Sequence, residues 1–163
     1  QEHPLLIFDK LPSMSDSELS LDDLFEKGKT VEWSELPARL WATTGITIPN
    51  LAKYKEFGKL RNGIQHFAPS FTSETASAKT LTFIFDVIDP FINNCWGLYA
   101  IDYDEDYDPY IYFAPCLIAN EIKFLVSKDA ANCSEDWDVD WSTAEQAYRE
   151  EMQRRIAAAR AME

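Results

Sequence analysis

The chain has 163 residues, 46% of them hydrophobic and 26% charged, with 28 acids against 15 bases for a formal charge of -13. That length suits one domain over residues 1–163, and the composition excludes disordered, collagenous and coiled-coil classes. The negative charge excludes coating of duplex nucleic acid by counterion release, and no apolar run reaches the roughly 18 residues of a membrane span. Cys95, Cys116 and Cys133 form no CxxC pair, which argues against a disulfide framework or zinc ribbon and for the reducing cytoplasm. The chain opens at Gln1 rather than at methionine, as a piece of a longer product would.

Ser20 with Asp23 forms a weak capping box ahead of Leu21, Leu24 and Phe25, and Gly28 ends this short helix. A second short helix is expected after Ser34, with Pro37 in its first turn and Gly45 beyond its end. From Asn50, the residues Leu51, Tyr54, Phe57, Leu60, Ile64 and Phe67 recur at helical spacing. Asn62-Gly63 is expected to loosen this helix near its end, and Pro69 stops it. Thr72 to Ser77 offers several N-caps before the stripe Leu81, Ile84, Phe85, Ile88, Phe91, Ile92 and Cys95, which Pro90 should kink.

Residues 99–115 are acidic and rich in tyrosine, and Pro109 and Pro115 mark them as an irregular loop. Residues 117–127 read equally as helix or strand. Ser142 and Glu145 form a capping box for a C-terminal helix over 142–163. The whole is an all-α fold.

Charge is unevenly distributed. Residues 1–37 carry a net -6 and residues 101–148 a net -10, whereas residues 38–71 hold Arg39, Lys53, Lys55, Lys59 and Arg61 against Glu56 alone. This basic island is the stretch able to meet a phosphate, although single lysines are also what any solvated helix face carries. The alternating Asp102, Asp104, Asp106 and Asp108 resemble the start of a calcium loop, but Tyr107 and Phe113 occupy the places of its glycine and closing glutamate. Asp136, Asp138 and Asp140 fail similarly, so both runs read as solvated acidic faces and no metal is expected. The five glycines build no Walker loop, dinucleotide fold or nucleophile elbow, and no cofactor is implied.

His3 and His66 are the only histidines. The segment Lys59-Leu60-Arg61-Asn62-Gly63-Ile64-Gln65-His66-Phe67 resembles the R-N-x-x-x-H signature of HEPN domains, with a helix before it and an amphipathic helix after it. The resemblance covers residues 35–100 and implies a helical bundle, many of whose members are metal-independent endoribonucleases. It implies a catalytic set of Arg61, Asn62 and His66. His66 would act as base or acid on the ribose 2′-hydroxyl or leaving oxygen, Arg61 as the cation on the phosphoryl group, and Asn62 as an orienting amide. Lys55 and Lys59 are the expected substrate-binding cations. One such histidine per chain requires a homodimer with a shared cleft. The resemblance further implies RNA as substrate and a toxin, phage-defence or stress setting with an antitoxin or regulatory partner. Ala68 stands where some of these toxins carry a modified tyrosine, so that modifying partnership is not supported. The alternatives are an inactive RNA-binding, nucleotide-binding or oligomerisation domain, and an acidic interaction or inhibitor protein.

Overall fold

The computed structural model describes residues 8–10, 20, 22, 26–65, 72–103 and 109–162. The chain divides into two compact units, Gln1–Ile48 and Pro49–Glu163. Helices dominate both the secondary structure and the core, so the fold is all-α.

In the first unit, β1 (Phe8–Lys10) pairs antiparallel with β2 (Lys29–Thr30), a hairpin-like sheet that the sequence reading lacked. With five residues in all, it is too short to show a period-2 pattern. Helix α1 (Leu36–Thr44) starts with proline in its first turn and ends at Gly45, whose φ of 74° is the left-handed cap expected from the sequence. Arg39 on α1 donates to the Phe8 carbonyl and, at 2.9 Å, to Asp9, which ties the helix to β1. The short helix expected after Ser20 lies mostly outside the described residues.

The second unit begins with α2 (Leu51–Gln65), which stays helical through Asn62-Gly63. Helix α3 (Ser73–Phe83) is capped by Thr72, whose side chain accepts from the Thr75 N–H. A single π-turn, Ile84–Ile88, joins α3 to α4 (Asp89–Trp96). Pro90 has no N–H for the Asp86 carbonyl, and the chain answers by widening the preceding turn: the Asp89 N–H reaches back to Ile84. The expected proline kink is thus taken up as a π-turn.

A 3₁₀ turn (Ala100–Asp102) follows, and then α5 (Pro109–Ala119). The expected irregular loop over 99–115 is corrected here. Pro109 is the first residue of a helix, where its missing N–H costs nothing, and Pro115 sits inside that helix. Residues 104–108 lie outside the described residues.

Helix α5 ends in a Schellman arrangement. The Ile122 N–H bonds the Leu117 carbonyl and the Glu121 N–H that of Ile118. Glu121 takes φ 52°, a conformation usually left to glycine, and its carboxylate accepts the Glu145 N–H at 2.6 Å. Residues 122–127 are then neither helix nor ladder strand, and Phe124 within them is fully buried. Helix α6 (Lys128–Asn132) is capped by Ser127, and α7 (Gln146–Arg160) closes the chain. The expected start at Ser142 is corrected: the Ser142 N–H and hydroxyl both bond Asp140, which leaves Glu145 as the N-cap.

The core collects Phe85, Ile101, Leu117, Ile118, Phe124 and Met152. The buried 122–127 segment has no sheet partner, so side chains satisfy its backbone. The Tyr148 hydroxyl donates to the Ile122 carbonyl at 2.8 Å, and Arg155 donates to that of Phe124 at 2.7 Å. Asp89, with no exposed surface, accepts the Ala100 N–H on one oxygen and the Leu125 N–H on the other, each at 2.8 Å.

Burial pushes the Asp89 carboxyl above its ordinary range, against the pull of those two N–H groups and of Arg155. Asp89→Asn presents one oxygen where two are needed, so it should cost about 1–3 kcal/mol in urea unfolding. The folded protein keeps its Asp89 proton at pH values where the unfolded chain has lost it. Wild-type stability relative to Asp89→Asn should therefore fall as pH rises from about 4 through the raised folded pKa, then level off. A difference that grows with pH across that window would contradict this placement.

Candidate functional site

Helix α2 carries the motif. Its packed side is Tyr54, Gly58 and Leu60, all buried, with Phe57 half-buried and stacked on Phe83 of α3 at 4.0 Å and 7° between ring planes. Lys55, Lys59 and Asn62, four and then three residues apart, share the opposite, solvent-facing side. Arg61 is also exposed, but it stands about 100° round the axis from Asn62 and seven residues after Tyr54, on the Tyr54 side. The two groups sense each other: burial pushes the Tyr54 phenol up to about 12, and the Arg61 charge opposes that rise. The structure thus brings Lys55, Lys59 and Asn62 onto one face and sets Arg61 on another, about 160° round the axis from Lys59. His66 lies outside the described residues.

The basic island is smaller in space than in sequence. Arg39 is held by Asp9 and Glu35 in the first unit. Lys53 and Lys79 both reach Glu56, at 3.6 and 3.7 Å, beside a cavity of about 60 Å³ floored by Phe57 and Phe83. Lys55 and Lys59 form no ion pair among the described residues. These two lysines are what the solvent face of α2 offers to a polyanion.

The acidic runs have structural work. Asp102 accepts the hydroxyls of Tyr110 and Ser127, at 2.8 and 2.6 Å. Burial and this bond to Asp102 push the Tyr110 phenol up to about 12. Asp140 folds back on Ser142, whose hydroxyl and N–H hold its carboxyl below the ordinary range. Among the described residues no three His, Cys, Asp or Glu side chains converge as a metal site would require.

A second feature was not anticipated from sequence. An open cleft of about 570 Å³ is lined by Ile84, Phe85, Ile88, Ile92, Tyr103 and Phe113, with Ala100 in its wall. Ile84, Ile88 and Ile92 belong to the helical apolar stripe of the sequence, and periodicity alone does not tell a covered stripe from an open one. Asp89 was also missed. A carboxylate four residues after Phe85, on the apolar face and just before Pro90, was the available signal.

No family model matches this chain, and no curated protein or solved structure is significantly similar to it. Among the described residues, no helix is long and apolar enough to cross a membrane.

Leu60 is 2% exposed, so Leu60→Ala should cost about 2–5 kcal/mol. Lys55→Ala, Lys59→Ala and Asn62→Ala, all on the solvent face, should each change stability by no more than about 0.5 kcal/mol. Thermal and urea unfolding of the four variants would check this separation of packing from surface chemistry.

Proposed function

We propose that the chain is a metal-independent endoribonuclease of the HEPN type, acting on single-stranded RNA as a homodimer. The observation that carries the reading is the position of the motif on α2. Lys55, Lys59 and Asn62 share an exposed face, Arg61 is exposed on the Tyr54 side of the same helix, and His66 is next in sequence after the helix's last residue, Gln65. Two lysines one turn apart suit successive phosphates of a single strand, and a guanidinium suits two oxygens of one phosphate.

In this reading His66 takes the 2′-hydroxyl proton. The 2′-oxygen attacks the adjacent phosphorus, the bond to the 5′-oxygen breaks, and a 2′,3′-cyclic phosphate is left. Arg61 balances the charge gathered on the equatorial oxygens, and Asn62 orients the reacting groups. The departing 5′-oxygen needs a proton, which the second protomer's motif supplies across the dimer. Lys55 and Lys59 hold flanking phosphates. The setting is cytoplasmic, with an antitoxin or regulatory protein as the restraining partner.

The formal charge of -13 favours a second reading, a non-catalytic RNA-binding or oligomerisation domain, because long-range repulsion slows encounter with a polyanion.

Incubation with single-stranded RNA in EDTA separates the two. Cleavage should occur without metal, and His66→Ala and Arg61→Ala should each lower it by at least about 10³-fold while the dimer stays folded. Lys55→Ala and Lys59→Ala should raise KM more than they lower kcat. Equal activity in the His66 and Arg61 variants would overturn the nuclease reading. Binding without product, unchanged by His66→Ala, would establish the second.

A further inference from the structure

The cleft beneath the π-turn has a charge environment unlike that of α2. Its lining is aliphatic and aromatic, and its volume of about 570 Å³ lies within the range of sites that take a ligand or a docked helix. The described residues between 84 and 119, which supply every lining residue, contain three carboxylates, Asp86, Asp89 and Asp102, and no lysine, arginine or histidine. Asp89 is buried and held by two backbone N–H groups, so it offers no charge to a visitor. Asp86 and Asp102 reach solvent, and Asp102 stands on the 3₁₀ turn between the lining residues Ala100 and Tyr103.

We propose that this cleft docks a cationic amphipathic helix of a partner protein. The apolar stripe of such a helix would lie along Ile84, Ile88 and Ile92, and its basic side chains would face Asp102, between the lining residues Ala100 and Tyr103. Three observations select that occupant. Ile84, Ile88 and Ile92 repeat every four residues, so they present a ridge that a second helix can pack against. Every ionisable charge that the cleft-bearing elements show to solvent is negative, which rewards a basic visitor and repels an acidic one. Tyr103, 87% exposed at the rim, is an aromatic of the kind that closes over a docked helix. The proposal stands independently of the nuclease reading, since it uses no residue of α2.

The test uses the whole chain and a synthetic leucine–lysine peptide of about 14 residues, four turns of amphipathic helix, as probe. A leucine–glutamate peptide of the same pattern is its counterpart. Calorimetry should show the lysine peptide binding with an affinity that falls as salt rises, and the glutamate peptide not binding. Methyl NMR shifts should centre on Ile84, Ile88 and Ile92. Tyr103→Ala, at a position exposed enough to leave folding intact, should weaken binding about tenfold, and Ile88→Asp should abolish it with the helical circular dichroism retained. Absence of binding, equal binding of the glutamate peptide, shifts centred elsewhere, or an affinity unchanged in Tyr103→Ala would each overturn the proposal. The last of these would reduce the attraction to the diffuse charge of the chain.

Discussion

The Asp89 carboxylate joins segments that no backbone–backbone hydrogen bond connects among the described residues. It stands at the start of α4, and its two oxygens receive one N–H from the 3₁₀ turn and one from the buried 122–127 segment. A carboxylate in a dry site is costly unless every lone pair has a use, and here both oxygens are engaged by backbone donors. The same bonds answer the opposite problem. Residues 122–127 bury apolar side chains yet pair with no strand among the described residues, so backbone groups between their two ends turn to side chains. Asp89, Tyr148 and Arg155 do this from two helices. Arg155 also binds Glu151, whose carboxyl it holds below the ordinary range together with Arg154. The segment is thereby fixed between α4 and α7, and Phe124 is fixed in the core with it.

Pro90 determines where Asp89 can point. Proline removes one helical N–H, and the π-turn that compensates rotates the following residues relative to α3. Phe85 and Asp89 then face inward while Ile84, Ile88 and Ile92 line the cleft. One residue type thus links the buried clip to the open surface: the turn that lets Asp89 reach Ala100 also sets the cleft ridge, and Ala100 belongs to the cleft wall.

Elements whose ends are written in local chemistry were readable from sequence. Thr72 as N-cap, Pro37 in a first turn and Gly45 as a left-handed cap each act within a few residues, and the structure keeps all three. The features that were misread depend on distant partners. Pro109 and Pro115 were taken as breakers, but proline at a first helical position is favourable, and the burial of Ala114, Leu117 and Ile118 holds the rest of the helix. Ser142 has the residue type of an N-cap, but Asp140 takes both of its donors and Glu121, 24 residues before Glu145, accepts the N–H of the N-cap Glu145. Glu121 itself occupies a backbone conformation that its residue type disfavours, set by the local Schellman turn and joined there by its long-range bond. Of the candidate site, the shared face of Lys55, Lys59 and Asn62 follows from helical spacing, whereas the exposure of Arg61, seven residues after buried Tyr54, does not. That Arg39 and Lys53 are engaged elsewhere did not follow, because ion pairs depend on which elements meet.

Electrostatics separates two surfaces within the second unit. At physiological salt, charges interact over about 8 Å, so a net charge of -13 governs how often a polyanion arrives rather than what it meets on contact. On contact, the local signs decide. The solvent face of α2 offers two lysines beside an amide, whereas the elements around the cleft offer carboxylates beside apolar surface. A phosphate backbone is attracted to the first and repelled by the second, and a basic amphipathic helix has the reverse preference. The same charge imbalance that slows the encounter with a polyanion speeds that with a cationic protein. The exposed lysines of α2 are then a local exception, whose small number makes any RNA contact there short and dependent on salt.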